Sequence, residues 1–573
     1  MRRTALIAAS AVVATALAIP AYAGQTQARS AKQAKEYVVV YKEGVSLAQA
    51  RAAVKAAGGT IVKENTDVGV ATVRSTNAGF IGDAGDQRAL DGAAGNRAIG
   101  VAPKVSSSAG SGQFAVEKEG GSGGKGVSAS RGSRGVEPLA ATQWDMQQIR
   151  ATANGSYRVE PGDKRVLVGV IDTGIDGSHP DIAPNFNRRL SRNFTTDVPT
   201  DANGDELDGP CEVPSCVDPA DVDDNEHGTH VASTIASPRN GLGMAGVAPN
   251  VSLVNLRAGQ DSGFFFLQPS VDALTFAGKN GIDVVNMSYY IDPWLFNCAA
   301  NPADSPANQA EQRTIIEATQ RALNFAHRNG VTLVAAAGNE AIDYTKTNID
   351  DTSPDFADEP GEVPYERTVP ASCISLPAEG GHVISVSSTG ISTRKSYYSS
   401  FGNGYIDVAA PGGDKYDTAD QRLSQAAGIW AAYPEAIARE RNELNPDGTP
   451  RVARVVRSCE GDVCAYYQSI QGTSMASPHA AGVAALIISK FGKADRGRGG
   501  LTLDPRIVEA RLRGTATETP CPPGGTFHYV RRDVAQPDGT VIPIVEATHT
   551  CEGTRSQNGF YGSGIVDALR AVR

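Results

Sequence analysis

Four short apolar runs constrain the fold of this chain more than any other feature. They lie at 166–171 (VLVGVI), 251–254 (VSLV), 282–287 (IDVVNM) and 331–336 (VTLVAA). Their β-branched residues come without strict polar alternation, the pattern of strands buried on both faces of a parallel sheet. The segments between them have helical composition, at 230–237, 270–279 and 311–328. Strand and helix in turn predict an α/β domain of three layers with a mostly parallel sheet, its functional groups at the carboxyl ends of strands.

The chain has 573 residues, too many for one ordinary domain. A formal net charge of −10 excludes the basic field of a nucleic-acid binder. Arg2-Arg3, the apolar stretch 5–19 and the small-x-small site Ala21-Tyr22-Ala23 make residues 1–23 a predicted export signal. The apolar stretch is too short for a membrane span, so after signal removal no membrane attachment is expected. Export makes the eight cysteines candidates for disulfides. Cys211/Cys216 and Cys459/Cys464 are close enough to clip small loops, leaving Cys298/Cys373 and Cys521/Cys551, although eight cysteines admit 105 connectivities.

Before the α/β region, residues 36–75 carry a β-rich run (Tyr37-Val38-Val39-Val40-Tyr41), a helical stretch and two further strand candidates, with no His and no Cys. On its own this reads as a spacer or attachment unit. Gly, Ser and Ala dominate from 106 to 135, the composition of a linker open to proteolysis.

Four residues carry chemistry. Asp172 ends the first apolar run, in Asp172-Thr173-Gly174. His227 opens a helix, in His227-Gly228-Thr229-His230-Val231-Ala232. Asn339 ends the fourth run, in Ala337-Gly338-Asn339. Ser474 stands where a polar turn meets an apolar helix, in Gly472-Thr473-Ser474-Met475-Ala476-Ser477-Pro478-His479, with Pro478 expected in the first helical turn. Acyl transfer needs a nucleophile, a base and a carboxylate that orients the base; Ser474, His227 and Asp172 are of those types. Asn339 and the Ser474 backbone N–H are the types that stabilise an oxyanion. His227 and His230 lack the intervening Glu of a helical zinc motif, which argues against zinc.

In these four motifs and their order the chain resembles the subtilisin-like serine peptidases, over about 140–572, down to a similar ending at Tyr561-Gly562-Ser563-Gly564. The resemblance implies a serine endopeptidase with Asp172, His227 and Ser474 as triad and Asn339 at the oxyanion, acting on protein or peptide substrates without an organic cofactor. It also implies an inhibitor-type propeptide at 36–103 that binds its own catalytic domain, a cleavable linker at 104–139, self-processing, and a secreted, monomeric product. The alternatives are a dedicated leader- or proprotein-processing protease, and a secreted binding protein on an inactive protease fold.

The match is loose in places. After Asn286-Met287-Ser288 the family has small residues, whereas this chain has Tyr289-Tyr290-Ile291-Asp292-Pro293-Trp294, which reshapes the substrate cleft. Insertions at 414–469 and 520–558 enlarge the peptidase domain of 140–573. The resemblance also suggests a structural calcium site with side-chain oxygens from Asp181 and Asn240 and carbonyls from Pro238, Leu242 and Met244. In the acidic stretch 201–226, Asp201, Asn203, Asp205 and Glu212 take EF-hand positions, but Glu206 stands where glycine is required. That stretch reads as a solvated loop clipped by Cys211 and Cys216.

Overall fold

The computed structural model describes residues 34–96, 117, 127–129, 136–357, 361–495, 497, 500–535 and 540–573. The export signal read at 1–23 and most of the 104–139 linker lie outside these residues.

The first described unit holds strands β1 (Lys35–Tyr41), β2 (Thr60–Asn65), β3 (Val70–Ser75) and β4 (Leu90–Gly95) and helices α1 (Leu47–Ala56) and α2 (Phe80–Gly85). The antiparallel sheet has the order β2-β3-β1-β4. Alternation along β1 explains its unbroken apolar run. Tyr37, Val39 and Tyr41 pack under α1 and α2, while Val38 and Val40 join a core shared with the larger domain. Ion pairs rim that contact, Lys63–Asp272 at 2.8 Å, Lys279–Asp67 at 2.7 Å and Arg321–Asp91 at 2.5 Å. The unit is therefore docked on the larger domain, not merely strung before it.

After the short strand β5 (Val127–Ala129), the larger domain is built on β6 (Leu167–Ile171), β7 (Arg192–Asn193), β8 (Ser252–Arg257), β9 (Val284–Met287), β10 (Thr332–Ala336), β11 (Val383–Thr389) and β12 (Val408–Pro411). These seven strands run parallel in the order β12-β11-β10-β9-β6-β8-β7. The order reverses at β6, so the switch-point crevice opens at the carboxyl end that carries Asp172. Val168 and Val170 face one apolar layer and Ile171 the other, which is why the run reads as continuously apolar.

Helices α3 (His227–Ala236), α4 (Leu267–Lys279) and α5 (Pro306–Arg328) cover the sheet, and α6 (Thr473–Phe491) packs on it beside α3. Every residue of α6 from Thr473 to Ile488 is buried. The helix starts at Thr473, so Pro478 stands in its second turn, not the first. A proline there withdraws the partner of the carbonyl four residues earlier. That carbonyl, of Ser474, instead accepts from Ser288 Oγ at 3.0 Å.

The segment 414–469 forms a sheet of β13 (Ile429–Tyr433), β14 (Val455–Glu460) and β15 (Val463–Ile470), to whose edge β5 adds in parallel beside β14. Strands β16 (Thr526–Ala535) and β17 (Val541–Thr550) make a hairpin whose Tyr529 packs with Tyr397, Tyr398 and Tyr416. The four disulfides are Cys211–Cys216, Cys298–Cys373, Cys459–Cys464 and Cys521–Cys551.

Candidate active site

Two glycines let the end of β6 and the start of α3 approach closely. A Cβ on Gly228 would lie 2.0 Å from the Gly174 carbonyl oxygen, and one on Gly174 would lie 2.4 Å from that of Val222. The approach sets His227 Nδ1 2.7 Å from Asp172 Oδ1, both residues being buried. Asp172 Oδ1 also accepts from the Thr173 N–H at 2.8 Å. Just before His227, Glu226 holds the left-handed conformation (φ 87°), and Arg441 anchors its carboxylate at 2.5 Å.

Asn339 is oriented by Thr473. Its Oδ1 accepts from both the backbone N–H and the hydroxyl of Thr473, each at 2.9 Å. The amide nitrogen must then point the other way, into the space beside His227 and Ser474. The Ser474 hydroxyl donates to the Ser288 carbonyl at 3.3 Å.

A carboxylate from the linker lies at this centre. Glu117 Oε2 is 3.0 Å from His227 Nε2, and its Oε1 accepts from Asn339 Nδ2 at 3.1 Å. Burial disfavours a charged His227, but the Asp172 and Glu117 carboxylates outweigh it and raise the imidazole from 6.5 to about 10. His230, three residues on, bonds through Nε2 to the Ile429 and Gln468 carbonyls, at 3.1 and 3.3 Å, and burial lowers it to about 3. The two histidines have separate partners and share no metal geometry.

The structure brings Asp172, His227, Asn339 and Ser474 together here. Thr473, Ser288 and Glu117 were not singled out. Thr473 and Ser288 lie inside the quoted motifs. Glu117 sits in a Gly/Ser-rich stretch with nothing in its local sequence to mark it.

A family model described as the subtilase family matches residues 163–539, more than half of the chain. The chain belongs to the subtilase family. It is a serine-type endopeptidase. Subtilisin DY of Bacillus licheniformis is 28% identical over 364 residues, 64% of this chain and 86% of that protein. Subtilisin E of Bacillus subtilis is 26% identical over 393 residues, 69% and 70% of the two chains. Among solved structures, an epidermin leader peptide processing serine protease from Staphylococcus aureus aligns with TM-score 0.58 at 20% identity, covering 94% of this chain and 98% of that one. Fervidolysin from Fervidobacterium pennivorans aligns with TM-score 0.52 at 20% identity, covering 95% and 61%. These two likenesses are of fold.

In this subtilase, a pocket beside Ser474 is lined by Tyr289, Tyr290, Leu295, Glu340, Ser375 and Ala378, among others. Tyr289 stacks on Phe265 with ring centroids 4.1 Å apart, and the Tyr290 hydroxyl donates to Asp355 at 2.6 Å. Both aromatics thus pack and wall the pocket, and the acid that lines it is Glu340, whose carboxyl burial raises above its ordinary value.

The calcium loop inferred from resemblance is assembled differently. Asp181 lies 3.0 Å from Asn240, but it is the amide nitrogen of Asn240 that faces it. The Met244 N–H and the Tyr467 hydroxyl donate to the other Asp181 oxygen, at 3.2 and 3.0 Å. Burial raises the Asp181 carboxyl well above its usual value. Donors converge on a carboxylate where calcium needs converging acceptors, so Asp181, Asn240, Pro238, Leu242 and Met244 do not fit the ion as arranged.

Proposed function

We propose that this subtilase is a secreted, self-processing endopeptidase of restricted specificity. Ser474 is its nucleophile and His227 its general base; Asp172 orients the base, and the Asn339 amide with the Ser474 N–H stabilises the oxyanion. The observation that carries this reading is the place of the Glu117 carboxylate. One group touches both the Nε2 of the base and the Asn339 donor, the spot where the reacting carbonyl of a substrate must sit between proton acceptor and oxyanion donor. Because Nε2 is engaged there and the Ser474 hydroxyl points to Ser288, this is a blocked state that opens when Glu117 leaves. The 36–103 unit acts as the inhibitory propeptide, and cutting in the linker releases a monomeric enzyme.

The cleft favours a processing role over broad degradation. Its aromatic walls narrow the pocket, the Glu340 carboxylate in its lining favours a basic side chain before the scissile bond, and the fold resembles that of a leader-processing protease. The test is an organophosphonate probe applied to the secreted, matured protein. Ser474 should be labelled in the parent and no residue in Ser474→Ala; a matured parent that takes no label supports the inactive-scaffold alternative instead.

A further inference from the structure

A second cavity borders the catalytic centre, away from the pocket at Ser288 and Tyr290. Its volume is about 260 Å³, and its lining is Glu226, Arg441, Arg454, Gln468, Ser469 and Ile470. Glu226 directly precedes the base, and Ile470 ends β15 just before the turn that carries Ser474.

The direction of acyl transfer says which part of a substrate comes there. The acyl part has its carbonyl at the Asn339 amide, beside the first pocket, which Asn339 also lines. The leaving amine takes its proton from the base. The chain beyond the scissile bond therefore departs past His227, toward the cavity that Glu226 and β15 border.

The rest of the lining comes from the segment 414–469. Arg441 follows the short helix Glu435–Glu440 and pairs with Glu226 at 2.5 Å. Arg454 precedes β14 and pairs with Glu443, which also accepts from the Tyr433 hydroxyl at 2.8 Å. Each carboxylate is thus balanced by its own arginine. The Ser469 hydroxyl donates to the Gln425 carbonyl at 2.7 Å.

Two donors are left over. Gln468 is 3% exposed, yet its Nε2 meets no acceptor among the described residues, and the same holds for the buried Nε of Arg454. A buried N–H without an acceptor is costly, and two in one cavity lining call for an acceptor from outside the chain. A carboxylate answers this best, because its bonds to a guanidinium are charge-assisted. An apolar side chain would leave both donors unpaired, and a basic one would meet two arginines as like charges.

We propose that this cavity is a specificity site for the leaving half of the substrate, taking an Asp or Glu side chain that follows the scissile bond, with Gln468 and Arg454 as the donors that select it. The inference rests on the roles assigned above to Ser474 and His227. A substrate basic before the bond and acidic after it is complementary to both pockets.

The test is acyl transfer by the matured enzyme. A peptide ester acylates it, and tripeptide amides carrying Glu, Gln or Lys at the first or second position compete with water for the acyl group. At one of these positions Glu should capture the acyl group at least about tenfold better than Lys. Gln468→Met keeps the side-chain volume and removes the donor, and Arg454→Lys keeps the charge facing Glu443 and removes Nε. Each should shrink the Glu-to-Lys ratio at least about threefold. A parent that hydrolyses the ester but does not discriminate among acceptors overturns the inference and leaves the catalytic roles standing. A preference for Glu undiminished in both variants overturns it too, by placing the selectivity elsewhere. A parent that does not hydrolyse the ester overturns the catalytic roles, and the inference with them.

Discussion

Replacing Glu117 by Gln keeps the shape of the linker side chain and removes its charge from His227. The rise of that imidazole from 6.5 to about 10 amounts to about 5 kcal/mol in favour of the charged form. Two carboxylates produce it against the opposing cost of burial, so loss of the Glu117 charge should lower the value by at least about one pH unit. The sign follows from the raised value: the Glu117–His227 contact is at full strength below about pH 6.5 and is lost as pH rises through about 10. In the uncut chain at neutral pH the imidazole is therefore protonated and cannot act as a base. The direct assay is NMR titration of the His227 ring in the Ser474→Ala precursor, which cannot cut itself. Glu117→Gln should lower its midpoint by at least about one unit. In the otherwise native chain, the same change should speed linker cutting about tenfold at pH 7, followed by intact mass, with the advantage fading toward pH 10. Coincident titrations of the two precursors, within a few tenths of a unit, would refute the claim that Glu117 blocks the base by charge.

Asn339→Ala in the matured enzyme should lower kcat about 10²–10³-fold, the general cost of losing one oxyanion donor, for which a subtilisin Asn is the standard example. Thr473→Val removes one of the two donors that orient the Asn339 amide; kcat should fall about tenfold with KM nearly unchanged, and an equal rise in KM would contradict a positioning role. A peptide library should show Lys or Arg enriched before the cut bond, with Glu340→Gln reducing that enrichment, and a flat profile would remove the acidic-pocket argument. Arg367 is fully buried between Asp304 and Asp350 and lies over Trp294, so Arg367→Ala should cost about 3–5 kcal/mol in denaturant unfolding by stranding two carboxylates.

The central sheet was legible where its strands are apolar on both sides, as at Val168 and Ile171. Strand β11 was not, because serines interrupt it; Ser387 and Ser388 are buried but satisfied, by the Phe560 carbonyl at 2.6 Å and the Tyr398 hydroxyl at 2.8 Å. A sequence shows the polarity of a serine but not the partner that permits its burial. The same limit applies at the site. Asp172, His227, Asn339 and Ser474 stand in recognisable motifs, whereas the direction of the Asn339 amide depends on Thr473, which comes from a distant part of the chain. Pro478 was placed a turn too early because Ser288, which partners the carbonyl freed by the proline, is 186 residues from Ser474. At the Asp181 loop, resemblance gives the residues and not which atom of Asn240 faces inward. Glu117 was out of reach, since long-range contacts alone give one carboxylate of a linker its role.

The addition of β5 to the edge of β14 bears on what any cut between Asn96 and Val127 accomplishes. The downstream end stays pinned by its strand pairing. The upstream unit keeps its shared apolar face, the rim pairs of Lys63, Lys279 and Arg321, the Asn65 amide bonded to Asp272 and Thr275 and, where the cut falls after Glu117, the contacts of that side chain. Before the cut its hold is intramolecular and indifferent to dilution; afterwards it is a two-body equilibrium with a Kd, a dissociation rate and a dependence on salt. Severing one peptide bond thus converts a tether into an affinity, and the enzyme's escape from its own first domain becomes a matter of how dilute, and how saline, its surroundings are.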